Sequence, residues 1–193
     1  MCLATVVRRL ARPYESTPKL IFNTTMQSNS PNNDWHTQTT RSVGNGIGYS
    51  ADLVPKLIDD HRRILQMFAD IGIACLQSEG TMIVPNLLQF SRALTEHLVT
   101  ENSRLYVYMR RSVATDDVKK QRISVFRKEM IAVTNAVGDF IEKYKLVTTW
   151  TPDLLESFKN DLMVVGEVLV NRIESEETDL FAIYQPAEVR LEN

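Results

Sequence analysis

The sequence predicts an all-α protein, an up-down-up-down antiparallel four-helix bundle with a flexible N-terminal tail. Three observations carry that expectation. Between residues 51 and 184 the apolar residues recur at intervals of three and four in four separate blocks. Glycine and proline in that stretch fall mostly between the blocks. The connections left over are short, so consecutive helices must run antiparallel. A unit of roughly 140 residues is large enough to bury a proper core.

The first helix is expected over about 51–77, with Ser50 as N-cap, Pro55 in its opening turns and Glu79-Gly80 as its end. Its seam runs Val54, Leu57, Ile58, His61, Leu65, Phe68, Gly72, Cys75. The second runs from about residue 83 or 85 to 111, through Leu87, Phe90, Leu94, His97, Leu98, Glu101, Leu105 and Tyr108. The third spans about 116–145 and opens on Thr115-Asp116-Asp117, whose carboxylates suit a helix N-terminus. Its seam is Ile123, Phe126, Met130, Val133, Val137, Phe140, Tyr144. Thr151-Pro152-Asp153 opens the fourth, with Thr151 capping and Pro152 at the first helical position. That helix runs to about residue 184 through Phe158, Leu162, Val165, Leu169, Ile173, Glu176 and Leu180, and Pro186 closes it.

Residues 1–50 differ in character. They carry five Lys or Arg against two Asp or Glu, whereas the whole 193-residue chain has a net charge of −2. From residue 24 to 50 the text is rich in Asn, Ser, Thr, Gln and Gly and buries too little apolar surface to offset its ordering entropy. The chain therefore divides into a flexible tail over 1–50, the bundle over 51–185 and a short C-terminal tail over 186–193. The first twelve residues are basic and free of acids, which fits either a targeting peptide or a start placed too early, with Met26 as the true one. The near-neutral balance argues against a nucleic-acid binder. No run of about 18 apolar residues marks a membrane span. Cys2 and Cys75 cannot build a disulfide framework, so a reducing cytoplasmic setting is expected.

Four seam positions are polar where the pattern asks for apolar side chains: His61, His97, Glu101 and Glu176. A buried carboxylate costs several kcal/mol unless it is paired or bound to a cation. His97 and Glu101 are four apart and project from one helix face. If the first hairpin turns near residue 79 or 80, the position opposite His61 is about 98, so His61 and His97 lie at one depth. The second hairpin repeats the first. A shift of 75 places Leu94 on Leu169, His97 on Arg172, Leu98 on Ile173, Glu101 on Glu176 and Leu105 on Leu180. A shift of 69 places His61 on Met130 and Asp60 on Glu129. The carboxylate is present in both halves, the His pair in one.

The stretches LIDDHRRILQMFADI and FSRALTEHLVTENSRLYVYM resemble the first half of a hemerythrin-like HHE cation-binding domain, with a His on the first helix and His-x-x-x-Glu on the second. FKNDLMVVGEVLVNRIESEETDLFAIY resembles its last helix, and the likeness covers about residues 51–184. The resemblance implies a bundle with non-haem iron or another divalent metal held between the helices, and His61, His97, Glu101 and Glu176 are the positions that match. An oxygen-carrying centre of that family uses five His. This chain has three, one of them (His36) in the tail, so oxygen transport is excluded.

Two readings follow for these four residues. One is a depleted His2Glu2 site for iron(II), manganese or zinc, with Glu129 or Glu177 as a further ligand, acting in the sensing or handling of metal, oxygen, nitric oxide or redox state. The other is a metal-free network in which Arg172 pairs with Glu101 or Glu176 and stands in for the cation. In that case the chain is a helical regulator that binds a protein partner. Bacterial anti-sigma bundles of the regulator-of-sigma-D type have a last helix comparable to VLVNRIESEE here. A ferritin-type oxidase ranks last, because its Glu-x-x-His order is missing. No catalytic constellation is present, and the chain is not read as an enzyme.

Overall fold

The computed structural model describes residues 48–186. The tail read over 1–50, its basic start and the C-terminal tail over 186–193 lie outside the described residues, apart from 48–50 and Pro186. The described chain is built from four antiparallel rods with no strand among them, which is the all-α bundle expected from the periodicity.

Rod α1 is Leu53–Leu76. Its N-cap is Asp52, not Ser50, and no side chain caps it. Ser50 acts through its main chain instead: its carbonyl accepts from the Leu53 N–H at 3.2 Å and from the Tyr184 hydroxyl at 3.2 Å. Tyr49 stacks on Tyr184 with ring centroids 5.0 Å apart, so the start of α1 is fastened to the end of the fourth rod. At the other end Ser78, at φ 59°, takes the left-handed turn.

Gly80 does not end α1. It is the first residue of α2, which runs as Gly80–Thr100, a π-helical turn Glu101–Leu105 and a last α-segment Tyr106–Ser112. A Cβ at Gly80 would lie 2.8 Å from Trp150 Cδ1, so glycine is needed for close approach rather than for termination. Rod α3 is Asp117–Tyr144, and its N-cap Asp116 accepts from the Lys119 N–H at 3.0 Å. Rod α4 begins as Pro152–Ser175, capped by Thr151 accepting from the Leu154 N–H at 3.3 Å, as its sequence announces. It continues through a second π-helical turn, Glu176–Leu180, into a 3-10 turn, Phe181–Ile183.

Rod α1 packs on α2 and α4, and α3 packs on α4 and α2, closing a ring. The core has two apolar compartments. One, toward the two hairpin loops, holds Phe68, Phe90, Phe140, Tyr144, Phe158 and their neighbours. Its edge-to-face contacts, such as Tyr144–Phe158 at 4.8 Å and 89°, each add about 0.5–1.5 kcal/mol beyond burial. The other, toward the chain ends, holds Leu53, Leu57, Leu105, Tyr106, Met109, Phe126, Met130 and Leu180. Between them lies a layer of buried polar residues: His61, His97, Glu101, Arg172 and Glu176.

Candidate metal centre

Each member of the polar layer comes from a position where one helical turn hands over from one apolar compartment to the other. On α1, His61 follows Leu57 and precedes Ile64; on α2, His97 and Glu101 lie between Ala93 and Leu105; on α4, Arg172 and Glu176 lie between Leu169 and Leu180. The hairpin arithmetic that put His61 beside His97 agrees with the structure. Their Nε2 atoms are 3.2 Å apart. Glu176 Oε2 lies 3.0 Å from His61 Nε2. Among the described residues, His61, His97 and Glu176 are the group whose donor atoms converge, all within 4.8 Å of one another.

Glu101 shares the layer but is not one of that convergent trio. It is fully buried, and among the described residues neither of its carboxylate oxygens has a hydrogen-bond donor; His97 Nδ1 is likewise without a partner among them. Glu101 and Glu176 both open a π-helical turn, and each is bridged across it by an i+5 bond, from the Tyr106 N–H to the Glu101 carbonyl and from the Phe181 N–H to the Glu176 carbonyl. Such turns occur often at functional sites. The Asn102 and Ser103 side chains donate to the carbonyls of Leu98 and Val99, at 2.9 and 2.6 Å, where the ladder changes register.

The flanking candidates stand elsewhere. Glu177 sits behind the His61 ring, accepting from Nδ1 at 2.8 Å, and so presents Nε2 to the cluster rather than offering a donor of its own there. Phe181 lies nearly parallel to that ring, 5.8 Å away. Glu129 is 57% exposed and 3.8 Å from Arg172 Nη1, on the outer side of the guanidinium. Arg172 is held from three directions. Its Nε donates to Glu176 Oε1, Nη1 to the Phe126 carbonyl at 3.0 Å and Nη2 to the Tyr106 hydroxyl at 2.9 Å. Of the two partners the sequence left open, it is Glu176 that Arg172 pairs with. Met130, the counterpart of His61, is buried beside it and lines the cavity described below.

The charges explain each proton. Burial opposes a charge on His61, but hydrogen bonds to Glu176 and Glu177 override it and hold the imidazole up at about 9. Burial and the charge on His61 push His97 down to about 4, so it is a neutral donor. Burial, reinforced by Glu176, pushes Glu101 up to about 8; when protonated, it faces the Glu176 carboxylate as an acceptor. Burial also works against the Glu176 carboxylate, but His61 and Arg172 keep it below the usual range.

These donors fit a divalent cation. Separations of 3.0 and 3.2 Å are what ligand atoms bonded at about 2.1 Å span at close to a right angle. A neutral imidazole, a carboxylate and a second imidazole that is already oriented by Glu177 form a mixed N/O set. Glu101 adds a second buried carboxyl to the layer, protonated below about pH 8 and able to give up that proton to a bound cation. Beside the cluster lies a cavity of about 30 Å³, bounded by His61, His97, Glu176 and Arg172 on one side and by apolar chains such as Leu94, Val133 and Leu169 on the other.

The sequence names Glu177 as a further ligand, whereas the structure sets it behind His61; the Tyr106 hydroxyl on Arg172 and the cavity had no place in the sequence reading. Both depend on contacts across the bundle, for which the sequence has no local signal. Among the described residues, no helix is long and apolar enough to cross a membrane. No curated protein and no solved structure matches the chain. One family model, the hemerythrin HHE cation-binding domain, matches residues 52–184, from the start of α1 to the end of α4. The match spans all four rods and every residue of the polar layer, and the chain belongs to the hemerythrin HHE cation-binding domain family.

Proposed function

We propose that this protein binds a divalent metal, iron(II) or alternatively manganese or zinc, through His61, His97, Glu176 and Glu101. We further propose that it works in the cytoplasm as a sensor or handler of metal, oxygen, nitric oxide or redox state, not as an oxygen carrier. The observation that carries this reading is the convergence of two imidazoles and a carboxylate next to a fully buried, donorless second carboxylate. A cation there is held by the convergent trio, with the Glu101 carboxyl next to it in the same buried layer. The cavity of about 30 Å³ supports the second half of the reading. It has room for a water molecule or a small diatomic, is mostly apolar away from the cluster and opens on the donor atoms.

The test is metal content. Chain purified without chelator or metal-affinity steps, then supplied with iron(II), manganese(II) or zinc(II), should retain bound metal through desalting, and His97→Ala should lose it. Fewer than about 0.1 ions per chain with every metal would overturn the reading. It would favour the alternative of a metal-free bundle that regulates a protein partner, which the closed Arg172–Glu176 pair supports.

A further inference from the structure

The polar layer is built on an internal two-fold. Glu101 and Glu176, 75 residues apart, are both buried, both open a π-helical turn and are both followed by a buried leucine four residues on, Leu105 and Leu180. Four residues before each carboxylate stands the residue that distinguishes the halves: His97 on α2 and Arg172 on α4. On the partner rods, His61 of α1 has Met130 of α3 as its counterpart. The fold therefore provides two equivalent half-sites. One is furnished with two imidazoles, the other with a thioether and a guanidinium.

We infer that the centre takes a single divalent ion per chain, in the His61/His97 half, and that the Arg172 guanidinium permanently fills the other half as a tethered cation. This rests on the metal-binding reading above. Three features carry it. First, Arg172 is immobilised by Glu176, Phe126 and Tyr106, so its charge cannot swing away to admit a second ion. Second, the two Glu176 oxygens are divided: Oε1 accepts from Arg172 and Oε2 faces His61. One carboxylate thereby links the fixed cation to the His61/His97 donor set. Third, the second half offers no matching ligands: Met130 brings a thioether where the first half has the His61 imidazole, and Arg172 a guanidinium where it has the His97 imidazole, so a second divalent ion would meet a fixed positive charge in place of two donors.

The experiment counts ions. The full chain is loaded with iron(II) under anaerobic conditions, and with zinc(II) in parallel, and the metal per folded chain is determined by mass spectrometry of the digested protein after desalting. About one ion per chain is expected. His97→Gln should abolish it, while Met130→Leu, in the other half, should leave it at about one. Converting the second half with the pair Met130→His and Arg172→His should raise the count toward two. Two ions in the unaltered chain, or loss of the ion in a folded Met130→Leu protein, would overturn the inference while leaving metal binding intact. No ion in the unaltered chain would overturn metal binding itself. If the double variant does not fold, as its thermal melt will reveal, the counts for the unaltered chain and for the two single substitutions decide the matter.

Discussion

Glu101 is where stability and function are opposed. It is fully buried and, among the described residues, no donor reaches its oxygens, so the fold holds it protonated against Glu176 at the cost of desolvating the carboxyl. Replacing it by methionine, of similar length and without polar atoms, removes the cost. We expect Glu101→Met to stabilise the metal-free protein by about 1–3 kcal/mol in chemical denaturation and to weaken metal retention at the same time. A substitution that loses both stability and metal would mean that Glu101 is held by a partner in the fold. Glu177 makes the complementary case. It touches His61 Nδ1 and leaves the cluster alone, so Glu177→Gln should lower the melting temperature of the metal-free chain only by the share of the His61 stabilisation that this carboxylate supplies. Loss of an orienting partner of this kind typically costs 10–100-fold in metal affinity, and competition against a chelator of known affinity would measure it.

At the level of elements, what the sequence announced was whatever local chemistry decides. Asp116, Thr151 and Pro152 start their helices where they were read, because a cap needs only the next three residues. The seams and the matching depth of His61 and His97 were legible because a short hairpin converts sequence distance into height. Gly80 was misread because a glycine after a helix ordinarily ends it; here Ser78 supplies the left-handed residue, and Gly80 is reserved for an indole 70 residues away. No local signal reveals such a contact. The π-helical turns were equally hidden, although the repeated Glu-x-x-x-Leu followed by an aromatic marked where they lie. They displace the phase of α2 and α4 by one residue beyond each turn. Gly80→Ala tests the long-range reading. The added methyl must push the Trp150 ring or the start of α2 aside, so a loss of about 1–3 kcal/mol and a shift in tryptophan emission are expected. An unaltered melt and spectrum would show that the indole is free to give way.

At the scale of the whole molecule the polar layer sets the pH dependence of folding, and the sign follows from where the protons sit. His61 is held at about 9 in the fold against about 6.5 in the unfolded chain, so its contribution is complete below pH 6.5 and is lost as pH rises toward 9. Glu101, raised to about 8 from its ordinary 4.5, acts in the same direction, since the folded state keeps a proton that the unfolded chain gives up. His97, lowered to about 4, acts the other way, but only between about pH 4 and 6.5, and contributes no slope above that. From pH 6.5 to 9 His61 and Glu101 therefore both pull the metal-free protein downward, and its melting temperature in chelator should fall by several degrees. Metal reverses the balance. A cation requires His61 neutral and Glu101 ionised, the forms that rising pH favours, so binding strengthens over the same interval and stabilises the fold by mass action. Melts at pH 6.5 and 9, with chelator and with excess zinc(II), should thus diverge, the gap between loaded and metal-free protein being wider at pH 9. Equal gaps at the two pH values would mean that the protons on His61 and Glu101 do not compete with the ion, and would remove both residues from the metal's surroundings.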